Sequence, residues 1–193
     1  MIIEKTDIDG AYIIQNSYIE DERGYFLRVF CNEELKKYDL NFNLVQSNIN
    51  YNKKKGTLRG MHYQVEPYAE IKAVRCIKGK IFDAIADIRK NSPTYGKYFT
   101  VELSEENGKM LYIPPYVAHG FQTLEDDSIV SYFLSSAFMP EAYGYLRFDD
   151  KFFNIEWPSC ENRIMSDKDR NIPDFKFWYD CKNNILTNKN ILL

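Results

Sequence analysis

Residues 56–64 read Gly-Thr-Leu-Arg-Gly-Met-His-Tyr-Gln, and this stretch holds one of only two histidines in the chain. Arg59 and His62 stand close together among glycines and aromatics, so a guanidinium and an imidazole share one short segment. The segment reads as a strand. Alternation then sends Leu58, Gly60, His62 and Gln64 to one face and Arg59, Met61 and Tyr63 to the other. Both faces carry polar groups, and one of them is expected to line a solvent-accessible cavity.

Working outward, short strand signals follow closely: residues 11–15, 25–30, 44–50, 73–77, 80–88, 98–103, 110–113, 118–124 and 129–133. Turn chemistry separates them at Asp21-Glu22-Arg23-Gly24, Lys78-Gly79, Ser92-Pro93, Glu106-Asn107-Gly108, Pro114-Pro115 and Glu125-Asp126-Asp127. Residues 32–38 form the one helix expected in the first half, with Asn32 as N-cap candidate, acids in the first turn and lysines in the last. Many short strands with little helix between them indicate an all-β antiparallel sandwich or barrel, with a jelly roll as the preferred form. Beyond Pro140 the pattern loosens into a strand and loops packed against the barrel. The tail from about residue 171 is peripheral, and a short helix, a dimer contact and frayed chain all remain open for it.

The 193 residues suit one domain, 1–193, with 45% hydrophobic and 27% charged residues. Aromatics at 16% suit a cavity wall that offers polar tips on apolar rings. A net charge of −3 gives no general affinity for nucleic acid or an anionic membrane, and no apolar run is long enough to cross a bilayer. Lys53-Lys54-Lys55 reads as a solvated turn, with a local phosphate contact as the alternative. Cys31, Cys76, Cys160 and Cys181 show no zinc or redox spacing and no signal segment opens the chain, so reduced thiols and a cytoplasmic location are expected. Two histidines fall short of the several imidazoles that a transition-metal site in such a barrel uses, and no metal or other cofactor is expected.

Three more groups stand out. Lys72 heads an apolar strand, Asp83 is embedded in Ile81-Phe82-Asp83-Ala84-Ile85, and His119 lies in Ala118-His119-Gly120-Phe121. A carboxylate in so apolar a run is either buried and hydrogen-bonded or part of a site. A barrel interior would gather all three with His62.

The chain resembles the dTDP-4-dehydrorhamnose 3,5-epimerase family. The resemblance rests on Asp21-Glu22-Arg23-Gly24-Tyr25-Phe26, Gln46-Ser47-Asn48, residues 56–64, Lys72 with Val74-Arg75-Cys76, and residues 79–89 with Ser92-Pro93-Thr94-Tyr95-Gly96. It continues through Ile113-Pro114, Ala118-His119-Gly120-Phe121, Trp157-Pro158 and Ser166-Asp167-Lys168-Asp169. The resemblance implies a metal-free cupin-type jelly roll acting as a homodimer on a nucleotide-linked 4-keto sugar. Hydrogens beside a ketone are acidic, so epimerisation needs a base on one face, an acid on the other and a cation at the oxygen. By resemblance His62 is the base, Asp169 orients it, Tyr132 is the acid, and Lys72 with Arg59 supplies the cation. Asp83 and His119 are supporting site residues that can pair with each other; Arg23, Gln46 and Asn48 match positions that contact the nucleotide diphosphate or sugar, the Arg23 loop being free to cross to the partner subunit, and Phe26 is a further substrate-binding residue.

Three positions depart from the family pattern. Arg28 stands where the family has a glutamate that reads the thymine base, Phe133 replaces a lysine and Phe138 a tyrosine. A guanidinium in place of an acceptor reverses the hydrogen-bonding sense, so a base other than thymine stays open, as with GDP-linked sugars. A single-carbon epimerase, a keto isomerase and a non-catalytic sugar-nucleotide-binding module are the alternative functions.

Overall fold

The computed structural model describes residues 1–175, and the backbone of Tyr179–Asp180 and Ile185–Leu186. In chain order the elements are β1 (Ile2–Lys5), β2 (Tyr12–Gln15), β3 (Tyr18–Asp21), β4 (Gly24–Leu27), α1 (Asn32–Lys36), β5 (Gln46–Asn52), β6 (Leu58–Gln64), β7 (Lys72–Lys78) and β8 (Lys80–Asp87). There follow β9 (Tyr98–Ser104), β10 (Lys109–Ile113), β11 (Val117–Thr123), β12 (Ser128–Leu134), β13 (Tyr143–Tyr145), α2 (Asp167–Arg170), β14 (Tyr179–Asp180) and β15 (Ile185–Leu186).

Two antiparallel sheets face each other. One has the order β1-β2-β10-β7-β12-β5 and the other β13-β6-β11-β8-β9. The interleaving is that of a cupin-type sandwich, as expected: neighbours in space such as β7 and β12 are distant in sequence. Ile13, Val74, Leu111 and Val130 from the first sheet meet Ile81, Ile85, Leu103 and Phe121 from the second in the central core. Period-two alternation is why the same strands also bury residues on their outer faces. Ile14, Ala73, Met110 and Tyr112 are covered by Leu35 of α1 and by Leu40 and Phe42. Met61, Tyr63, Ala84 and Ala118 are covered by Leu146, Phe153 and Ile155.

Some expectations are corrected and others hold. Strands β1 and β3 were not foreseen. Helix α1 forms where expected, but its N-cap is Cys31, which makes no side-chain cap bond, while Asn32 lies inside the helix with a buried Oδ1 that has no partner. Residues 167–170 make one helical turn rather than a loop, because the Ser166 hydroxyl accepts from Asp169 N at 3.0 Å and ends the preceding extended chain. Lys53-Lys54-Lys55 is a turn, with Lys54 ion-paired to Asp126 at 3.0 Å on the surface. Cys31, Cys76 and Cys160 are free thiols, and burial pushes Cys76 up to about 11, which leaves it an inert core residue. Cys181 and most of the tail lie outside the described residues. No helix among the described residues is long and apolar enough to cross a membrane.

Candidate active site

The site begins at β6. Gly56 has φ +80°, and a Cβ there would stand 2.7 Å from Asn162 O, so only glycine lets residues 160–164 lie against the start of the strand. Backbone bonds from Leu58 N to Ile164 O (2.8 Å) and from Ile164 N to Gly56 O (3.0 Å) fasten that contact. It delivers α2, and with it Asp169, over β6.

Gly60 makes the second adjustment. Strand β11 pairs His119 with His62 and Phe121 with Arg59, so three steps along β6 oppose two along β11. The extra residue is a bulge, and a bulge reverses the alternation beyond it. Arg59 therefore lines the same cavity as His62, whereas Met61 and Tyr63 pack under the outer cover. The sequence expectation that placed Arg59 opposite His62 is corrected by this one residue.

The cavity encloses about 500 Å³ between the sheets. From the five-stranded sheet it receives Arg59, His62 and His119; from the six-stranded sheet it receives Asn50, Lys72 and Tyr132. Tyr143, Tyr145 and Asp169 complete the wall around the imidazole. A neighbouring space of about 320 Å³ shares Lys72, Tyr132 and Tyr143 and adds Gln46, Asn48, Glu70 and Phe138. Among the described residues, no three histidines, cysteines or carboxylates converge as a metal set.

His62 Nε2 bonds Asp169 Oδ1 at 2.6 Å. With Nε2–H donated to the carboxylate, the basic lone pair belongs to Nδ1. Burial pushes the His62 pKa below its ordinary value, and Asp169 only partly opposes that, so the ring is neutral at pH 7. Burial alone would raise the Asp169 carboxyl, but His62 and the Ser166 hydroxyl together hold it below the usual carboxylate range. Tyr143 and Tyr145 each lie 5.3 Å from the imidazole centroid and fix its plane.

His119 Nε2 stands 3.0 Å from both oxygens of Asp83, which is fully buried behind it. Burial raises the Asp83 carboxyl, against the pull of His119. The two therefore are paired, and only His119 reaches the cavity. Lys72 Nζ contacts Glu70 Oε1 at 3.1 Å and His62 O at 3.4 Å. Arg59 is steered by Nε to Asn52 Oδ1 at 2.8 Å. Burial raises the Tyr132 phenol, while Arg59 and a bond to Asn50 act the other way, and it stays protonated.

Arg23, Phe26 and Arg28 are not brought to the cavity within this chain. Strands β3 and β4 form a hairpin bonded to neither large sheet. Arg23 at its tip pairs with Asp21, Phe26 is 59% exposed, and Arg28 Nη1 is tied to Glu34 Oε1 at 2.6 Å. Sequence reasoning missed Asn50, Glu70, Tyr143 and Tyr145. Alternation along β5 from Gln46 and Asn48 would have reached Asn50, and the Glu-Ile-Lys spacing would have put Glu70 beside Lys72. Nothing local distinguishes Tyr143 and Tyr145 from thirteen other tyrosines.

Comparison with known proteins identifies the family. Residues 5–176 match the family model described as dTDP-4-dehydrorhamnose 3,5-epimerase. A protein of that name from Sinorhizobium fredii is 39% identical over 173 residues, covering 90% of this chain and 89% of the relative. The crystal structure of dTDP-4-dehydrorhamnose 3,5-epimerase from Elizabethkingia anophelis is similar with a TM-score of 0.86 at 37% identity, covering 91% and 96% of the two chains. That of dTDP-6-deoxy-D-glucose-3,5-epimerase from Legionella pneumophila, in complex with dTDP-4-keto-L-rhamnose, gives 0.83 at 34% identity, covering 88% and 89%.

Proposed function

This chain belongs to the dTDP-4-dehydrorhamnose 3,5-epimerase family, and from that membership we propose that it inverts C3 and C5 of a dTDP-linked 4-keto-6-deoxy sugar. One observation carries the reading: His62 and Tyr132 reach one cavity from opposite sheets, so a sugar ring held between them meets a base on one face and an acid on the other.

His62 Nδ1 takes the proton from the carbon beside the ketone, and the C–H electron pair moves to the C4 oxygen as an enolate. Lys72 offsets that negative charge, with Arg59 as a second cation on the cavity wall; a fixed donor at a developing oxyanion contributes about 3–4 kcal/mol. The Tyr132 O–H then delivers a proton to the other face, and the enolate electron pair returns to form the new C–H bond. Asp169 stabilises the imidazolium meanwhile. His62 and Tyr132 regain their starting protonation through solvent, and the sugar gains and loses no atom overall.

Gln46, Asn48 and Phe138 line the adjoining space and suit the sugar or diphosphate, with His119, backed by Asp83, on the opposite wall. The exposed hairpin supports a homodimer. Ile19, Tyr25 and Phe26 present apolar surface there, and a partner subunit covering it would take Arg23, Phe26 and Arg28 to its own cavity mouth.

The test is incubation with dTDP-4-keto-6-deoxyglucose in deuterated water, followed by mass spectrometry. One deuteron per inverted carbon is expected. A sugar recovered without deuterium would end the epimerase reading in favour of a binding module, and deuterium confined to one carbon would narrow it to a single-site epimerase.

A further inference from the structure

Lys72 and Glu70 form an ion pair in the cavity wall in which both side chains are less than a tenth exposed. Lys72 opens β7 and Glu70 lies two residues before it, and the ion pair shows that the two side chains point the same way. Glu70 uses both oxygens: Oε1 meets Lys72 Nζ at 3.1 Å, and Oε2 accepts from Gln64 Nε2 at 3.0 Å. Gln64 is itself immobilised. Tyr68 O and Ala137 O also lie 3.1 Å from its Nε2, so three acceptors share its two amide hydrogens, and its Oε1 accepts from Met139 N at 2.7 Å. The carboxylate is thus held at a fixed point beside the ammonium.

An ammonium withdrawn this far from water is costly unless an anion compensates it, and without one it sheds its proton at a lower pH. Nearby groups add to the demand. Arg59 and Lys168 line the same cavity, and His62 becomes cationic during turnover. The phenols of Tyr132 and Tyr143 are neutral, and both are pushed up by burial and further by the charge of Glu70. Asp169 is engaged with His62 and Asp83 with His119, which leaves Glu70 as the carboxylate in contact with Lys72 among the described residues.

We propose that Glu70 is a positioning residue that keeps Lys72 an ammonium aimed into the cavity and thereby sets the alkaline limit of activity. It acts through Lys72, and the proposal rests on the reading of Lys72 as the cation at the ketone oxygen. A neutral amine offers no charge to an enolate, so turnover needs the ammonium.

The experiment pairs kinetics with direct titration. The pH dependence of kcat/KM is measured for the wild type, Glu70→Gln and Glu70→Asp with dTDP-4-keto-6-deoxyglucose. In parallel the Lys72 Nζ signal is titrated by NMR in each protein labelled with [15N]lysine, the signal being identified by its loss in Lys72→Arg. Glu70→Gln is expected to move the alkaline limb and the Lys72 titration down together by about one pH unit or more, with the acid limb unmoved. Glu70→Asp, which keeps a carboxylate, returns most of both. A Lys72 titration unchanged in Glu70→Gln overturns the proposal even if that variant is inactive, and a limb that moves without Lys72 assigns it to the phenols and overturns it too. If Glu70→Gln does not fold, Glu70→Ala is measured by the same titration, and a Lys72 signal that titrates as in the wild type overturns the proposal. Wild type that incorporates no deuterium defeats the epimerase reading instead, and the titration still decides the coupling.

Discussion

His62 and Asp169 are 107 positions apart in the chain and 2.6 Å apart in the structure. The contact exists because residues 160–164 are fastened along the start of β6, so a single helical turn then suffices to aim the carboxylate. The carboxylate does opposite things to the two states of the ring. It favours the imidazolium, yet burial keeps the resting ring neutral.

The sign of the pH response follows. The proposed reaction needs neutral His62, which is present above its folded pKa and lost as pH falls through it. That pKa lies below the ordinary histidine value, and Asp169 is what limits the fall. Asp169→Asn is expected to move the acid limb of kcat/KM to lower pH and to lower kcat by about 10²-fold or more through loss of imidazolium stabilisation. An acid limb displaced upward would contradict this arrangement.

His62 and Tyr132 have separable roles if they serve opposite faces. His62→Ala is expected to abolish solvent-deuterium incorporation at every position. Tyr132→Phe leaves the base in place and is expected to allow exchange without full inversion. Wild-type turnover in His62→Ala would remove the proposed base.

Gly60 is tested by a single methyl group. Its φ is +120°, and a Cβ would stand 2.5 Å from Gly120 Cα and 2.8 Å from His119 O, both backbone atoms that cannot step aside cheaply. Gly60→Ala is expected to cost about 2–4 kcal/mol of stability in denaturant melts and to disturb the Arg59–His62 alignment. A variant with unchanged midpoint and unchanged kinetics would show that the bulge tolerates a side chain.

Asp87 anchors the loop between β8 and β9 from a fully buried position. Burial would raise its carboxyl, but Arg89, Ser92 and Thr94 together hold it below the usual value. A depressed carboxyl contributes stability above its unfolded pKa and loses it as pH falls through the folded one. Asp87→Ala is expected to cost about 3–5 kcal/mol at neutral pH by stranding Arg89, and to flatten the acid side of the stability profile. Equal melting of variant and wild type at pH 7 would rule this out.

The sequence by itself determined most of the strands, though not the short β1 and β3, because alternation is a local property of the backbone and needs no partner. It marked Asp83 as buried among apolar neighbours and set Lys72 at the head of β7, while only the family resemblance nominated His62 as base and, among fifteen tyrosines, Tyr132 as acid. The tertiary structure alone decided which groups meet. Facing sheets put Tyr132 opposite His62, a closing segment brought in Asp169, and one bulged residue at Gly60 turned Arg59 toward the cavity. The physical reason is that a strand's period fixes side-chain direction only up to a reversal of face, while strand order, register and bulges are set by pairing energies between segments far apart in the chain.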